Sequence, residues 1–110
     1  MNDMIDAIDQ NGLLLREKTF DDLTTDRPLK AAFERFLEIL SEASRHVTES
    51  LRANAPEIPW RGVSDIGNHL RHAYHRVDSE ILWRLHADGD LTSLRTVIVR
   101  FLDSPEEPSA

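Results

Sequence analysis

DRPLKAAFERFLEILSEASRHVTESLR, residues 26 to 52, decides the fold class. Within it Leu29, Phe33, Phe36, Leu40, Ala43 and Val47 return at alternating spacings of four and three, the period of one helix face, and Ala32, Leu37 and Leu51 widen the stripe. Asp26 can accept from the first free amides of such a helix. Pro28 falls in the first turn, where its missing N–H costs nothing. The pattern predicts a helix from Asp26 to about Arg52 that packs nearly antiparallel on a neighbour, as helices of bundles do.

Working outward, Ile5, Ile8 and Leu15 predict an amphipathic helix to about Glu17. Thr19 to Asp22 reads as a capping box followed by Leu23, and Thr24 to Arg27 as a connection. Pro56 and Pro59 make Asn54 to Pro59 an extended connection rather than a helix. Helix resumes at Trp60, where Val63, Ile66, Leu70, Ala73 and Val77 form a second apolar stripe through about Arg76. Asp78 is placed to cap a further helix through Leu85 that stops at Asp88-Gly89-Asp90. Leu91, Leu94, Val97, Ile98, Phe101 and Leu102 mark the last one. No segment alternates with period two, so the expected fold is all-α, a small up-and-down bundle of four to five helices. Residues 1–103 are expected to form one domain and 104–110, rich in proline and glutamate, a loose tail.

A chain of 110 residues holds one core without staples. It contains no cysteine, which removes disulfides, thiolate metal sites and a cysteine nucleophile, and fits a cytoplasmic setting. The acidic start at Met1 to Asp6 is unlike a secretory leader, and apolar runs such as Leu13-Leu14-Leu15 are far too short for a membrane span. Twenty acidic against thirteen basic side chains give a net charge of −7, which repels a polyanion at long range and argues against a general nucleic-acid coat.

Against that acidic background one stretch stands out. Asn68 to Arg76 reads NHLRHAYHR and holds three of the five histidines, and from Trp60 to Arg76 three arginines face Asp65 alone. At about 100° per residue, Asn68, Arg71, His72 and His75 project away from the Ile66–Leu70–Ala73 stripe. Imidazole exchanges protons near neutral pH and arginine holds phosphate without losing charge, so this is either a solvated polar face or a site for acid–base chemistry on a phosphate ester. His69, His72 and His75 are spaced by three but fan over about 120° with no carboxylate at a matching position, so no metal is expected. Trp60, Trp83, Phe33 and Phe36 read as core. Arg61 suits either a surface ion pair or an RNA contact.

The run Gly67-Asn68-His69-Leu70-Arg71-His72-Ala73-Tyr74 resembles the Arg-Asn-x-x-x-His-x-Tyr motif of the HepT-like proteins, small toxins of the HEPN class. Pro56-Glu57-Ile58-Pro59-Trp60-Arg61 is similar to the segment that leads into that motif, and Val77-Asp78 with Leu82-Trp83 to the segment that follows it. The resemblance implies a homodimer in which two motif helices face one cleft and cleave RNA there without metal or other cofactor. It implies that His72 acts as general base or acid, that Asn68 orients the site, and that the partner is a small nucleotidyltransferase antitoxin that modifies Tyr74 with AMP. The sequence departs from the motif at one place: Gly67 stands where the family has arginine. Arg71 is the candidate replacement for that charge, with Arg61, His75 and Arg76 as further RNA contacts. The alternative is a catalytically inactive helical dimer of the same class that binds the nucleotidyltransferase.

Overall fold

The protein is described by a computed structural model covering residues 1–72 and 76–103, with Arg76 and Val77 described by backbone alone. The described residues form eight helices and no strand: α1 (Asn2–Leu14), α2 (Phe20–Thr25), α3 (Arg27–Ser44), α4 (Glu49–Ala53), α5 (Trp60–Ser64), α6 (Ile66–Leu70), α7 (Arg76–Ala87) and α8 (Asp90–Asp103). The four long ones, α1, α3, α7 and α8, are the frame of the expected bundle. Both α2 and α5 begin where helix was expected, α2 running on to Thr25 so that the expected connection of Thr24 to Arg27 shrinks to Asp26, while the breaks that set off α4 and α6 are not revealed by apolar periodicity. The expected tail, 104–110, lies outside the described residues, as do Ala73, Tyr74 and His75.

Central to the bundle is α3, which packs against α1, α2, α5 and α6. Its buried line is Leu29, Phe33, Leu37, Leu40, Ser41 and Ser44, so the apolar seam is rotated from the expected one: Leu37 is fully buried, while Phe36 and Ala43 pack at its edge. A helix covered on more than one side buries the residues between its two contact faces. The Asp26 carboxylate accepts from the Leu29 amide at 3.1 Å and starts the helix, as expected. Thr19 forms the expected reciprocal capping box with Asp22, at 3.1 and 2.9 Å.

Two expected helices end early. α1 stops at Leu14 rather than Glu17, which adopts a left-handed φ of 61° and turns the chain toward Thr19. α3 stops at Ser44 rather than Arg52, because the Thr48 hydroxyl accepts from the Leu51 amide and opens α4. Arg52 ties α4 back to the end of α3, its guanidinium donating to Ser44 O at 2.8 Å and to Val47 O in the connection at 3.1 Å. Pro56 and Pro59 flank a non-helical connection, as expected, and Trp60 anchors it by donating to Ala55 O at 3.0 Å and stacking on Phe101. Gly89, at φ 82°, ends α7. Asp78 lies inside the first turn of α7 rather than at its cap, because the helix already runs from Arg76.

Buried between these helices, α1 holds one polar misfit: Asn11 is 1% exposed and its Oδ1 meets no donor among the described residues. An unpaired buried carbonyl costs about 1–3 kcal/mol, so Asn11→Leu, which keeps the branched skeleton and removes that carbonyl, is expected to raise unfolding stability by about 1 kcal/mol in urea titrations. On α7, His86 stands edge-on to Trp83, with centroids 5.2 Å apart, and its partial burial lowers its pKa below the ordinary 6.5. The unfolded chain therefore binds this proton more readily. The stability that neutral His86 contributes is present above about pH 6.5 and is lost as pH falls through the lowered folded value. Relative to His86→Gln, the wild-type protein should lose melting temperature as pH is taken from 7.5 to 5; a constant difference would contradict this.

Candidate functional site

The continuous helix expected from Trp60 to Arg76 is broken at Asp65, and the break shapes the site. Up to that point the amides follow the helical ladder, with Val63 N on Pro59 O and Asp65 N on Arg61 O. Past it the Asn68 amide bonds Asp65 O at 2.9 Å, a tighter i to i+3 closure, so the Ser64 carbonyl leaves the ladder. That carbonyl faces α3 instead. It accepts from Ser41 Oγ at 3.1 Å and from Arg45 Nη2 at 3.5 Å, and so ties the start of the motif segment to the end of the central helix.

α6 then carries Gly67, Asn68 and His69 over Ile66, which is buried, and the turn continues through Arg71 and His72 with Arg71 N on Gly67 O and His72 N on His69 O. Asn68, Arg71 and His72 are exposed, as their spacing predicts. Asn68 joins the other two. Its side-chain oxygen accepts from Arg71 Nη2 at 3.2 Å, and its backbone carbonyl lies 3.1 Å from His72 Nδ1. A carbonyl only accepts, so in that bond Nδ1 carries the proton, and the neutral ring then keeps its basic lone pair on Nε2. The arrangement suits proton abstraction by Nε2.

Beside this turn lies a groove of about 370 Å³ between α3 and α6, lined by Glu38, Ser41, Glu42, Arg45, Gly67, Leu70 and Arg71. Arg71 therefore belongs both to the Asn68–His72 unit and to the groove wall. Arg61 is exposed on α5, away from these hydrogen bonds. Tyr74 and His75 lie outside the described residues, as does the side chain of Arg76.

Two features of this region were not visible in the sequence. His69, weighed only as a metal ligand, is half-buried and donates from Nδ1 to Asp78 Oδ1 at 2.6 Å, locking α6 to the first turn of α7. An acid nine residues after a histidine carries no sequence signal, because that spacing is not one at which helical neighbours meet. Among the described residues no group of three histidines or carboxylates is placed to hold a metal ion. The second feature is Arg45, brought to Gly67 from another helix altogether.

A family model described as "Ribonuclease HepT-like" matches residues 4–101, nearly the whole described chain. The protein named "Probable ribonuclease HepT" from Thermococcus cleftensis is 35% identical over 95 residues, covering 86% of each chain. MJ0127 of Methanocaldococcus jannaschii, provisionally designated an RNase, is 30% identical over 111 residues, covering 99% of this chain and 88% of its own. No solved structure matches. With the helical frame, the Asn68–His72 unit and a family match across both, the chain belongs to the ribonuclease HepT-like family.

Proposed function

We propose that the protein is an endoribonuclease that works without metal, acts as the toxin of a toxin–antitoxin pair, and cleaves RNA at a cleft between two copies of the chain in the cytoplasm. The observation that carries this reading is the His72 Nδ1 to Asn68 carbonyl bond, in a chain whose family match spans the whole motif region. In the reaction His72 Nε2 takes the proton of a ribose 2′-hydroxyl, and the 2′-oxygen attacks the adjacent phosphorus. The P–O5′ bond breaks, and the 5′-oxygen leaves with a proton supplied by a second acid, which a homodimer offers as His72 of the partner subunit. The products are a 2′,3′-cyclic phosphate and a 5′-hydroxyl end. Asn68 holds both Arg71 and His72, and a guanidinium neutralises the charge that builds on the phosphate oxygens. Arg61, His75 and Arg76 extend the contact along the RNA backbone.

The partner in this reading is a small nucleotidyltransferase antitoxin, which silences the toxin by adding AMP to Tyr74. A specific observation favours a second reading: Gly67 replaces the motif arginine in a chain of net charge −7, as expected if catalysis has been lost and the dimer serves only to dock that nucleotidyltransferase. Cleavage of RNA in the presence of EDTA separates the two. Wild-type protein is expected to cleave, and His72→Ala to reduce the rate at least about 100-fold while melting normally. RNA left intact at high enzyme concentration, together with a stable complex with the nucleotidyltransferase, would reject the ribonuclease reading in favour of the second.

A further inference from the structure

The motif arginine is missing from position 67, yet the place beside it is not without positive charge. Arg45, the residue that follows α3, reaches across from the end of the central helix. Its Nη2 lies 4.0 Å from where a Cβ on Gly67 would stand. The Ser64 carbonyl helps hold it there at 3.5 Å, and that carbonyl is available only because the helix breaks at Asp65. The guanidinium opens onto the same α3–α6 groove as Arg71, which rises one turn after Gly67. A Cβ at Gly67 would meet the guanidinium in ordinary van der Waals contact, so the arginine of α3 stands where a longer side chain at position 67 would begin.

We infer that Arg45, with Arg71, forms a phosphodiester-binding subsite over Gly67 and supplies the charge that the family draws from an arginine at that position. The inference rests on the ribonuclease reading for its catalytic consequence, but not for its binding consequence. Two carboxylates also line the groove. Glu38 is matched by Arg35 at 2.7 Å, and Glu42 lies 3.3 Å from Arg45 itself. Both members of the Arg45–Glu42 pair are more than half exposed, and exposed ion pairs of this kind are weak and screened by salt. Glu42 meets the guanidinium through a single 3.3 Å contact, whereas a phosphodiester can accept two parallel hydrogen bonds from its fork, so the phosphodiester displaces Glu42 as partner. Arg71 is already hydrogen-bonded to Asn68, which makes it the positioning arginine and Arg45 the one that closes on the ligand.

The test uses the full chain and two readouts. The first is cleavage of a single-stranded RNA in EDTA. The second is fluorescence-anisotropy binding of a 2′-O-methyl oligoribonucleotide, which cannot be cut by 2′-oxygen attack, across a salt series. Arg45→Ala should slow cleavage about 100-fold and reduce the slope of log affinity against log salt by about one, as removal of one phosphate contact does. Arg45→Lys should keep the slope and lose part of the rate, because it retains the charge without the fork. Adding Gly67→Arg to Arg45→Ala should restore both readouts in part. Arg95→Ala, whose guanidinium is committed to Asp9, is the control expected to match wild type. If Arg45→Ala unfolds, Arg45→Gln takes its place.

Wild-type cleavage that survives Arg45→Ala unchanged would overturn the inference, as would loss of binding in Arg71→Ala but not in Arg45→Ala. If the wild type is inert yet Arg45→Ala loses the salt slope and Gly67→Arg returns it, the subsite stands and the ribonuclease reading falls. If the wild type is inert and Arg45→Ala binds as it does, both fall.

Discussion

One carbonyl sets the arrangement of the functional side of this protein. Were the helix from Trp60 continuous, Ser64 O would be taken by the Asn68 amide, and nothing would link the motif segment to the middle of α3. Because Asn68 turns to Asp65 instead, Ser64 O is handed to Ser41 and Arg45. A partly buried carbonyl left without a donor costs about 1–3 kcal/mol, so the break and the cross-helix bonds depend on each other. Ser41, 3% exposed, gives its hydroxyl proton to that carbonyl, while the likewise buried Ser44 gives its own to Ser41 O. Arg45 stands one turn further along and adds its charge at Gly67.

The same economy of local bonds fixes the motif turn at both ends. Upstream, Trp60 is held to Ala55 and Phe101, which pins the entry to α5. Downstream, His69 and Asp78 close α6 on α7, so the segment between them starts and finishes at defined points. Asn68 sits between these anchors and organises the exposed groups by accepting from both Arg71 and His72. The groove beside them sets Arg45 and Arg71 among Glu38 and Glu42. Arg35 matches Glu38, and the exposed Arg45–Glu42 pair is of the weak, salt-screened kind.

What the sequence disclosed follows from the range of the interactions involved. Caps within one turn were legible: Asp26 to Leu29 and Thr19 with Asp22 are three residues apart and announce themselves by residue type. The all-α class was legible from the long apolar stripe, and the exposure of Asn68, Arg71 and His72 from their phase on the helix. Helix ends were not, because apolar spacing runs on through Val47 and Leu51, where the Thr48 cap interrupts the backbone, and through Asp65, where a tighter i to i+3 closure does. The seam of α3 was read one position off at Phe36, since which of two adjacent apolar residues is covered depends on where α1 and α5 lie. Arg45 had no sequence signal at all. Its partner is 22 residues away and has no side chain, and only the folded chain shows that the empty place at Gly67 is filled from outside the motif.

The claim that the α3–α6 groove is where RNA meets the protein is tested most directly by NMR of the arginine side chains. The Nε–Hε signals would be followed while an uncleavable 2′-O-methyl oligoribonucleotide is added at low salt. This account predicts that the Arg45 and Arg71 signals and the Asn68 side-chain amide move together and saturate with a single affinity, while Arg95 stays still. Movement confined to arginines outside the groove, with Arg45 and Arg71 unchanged at saturation, would contradict it.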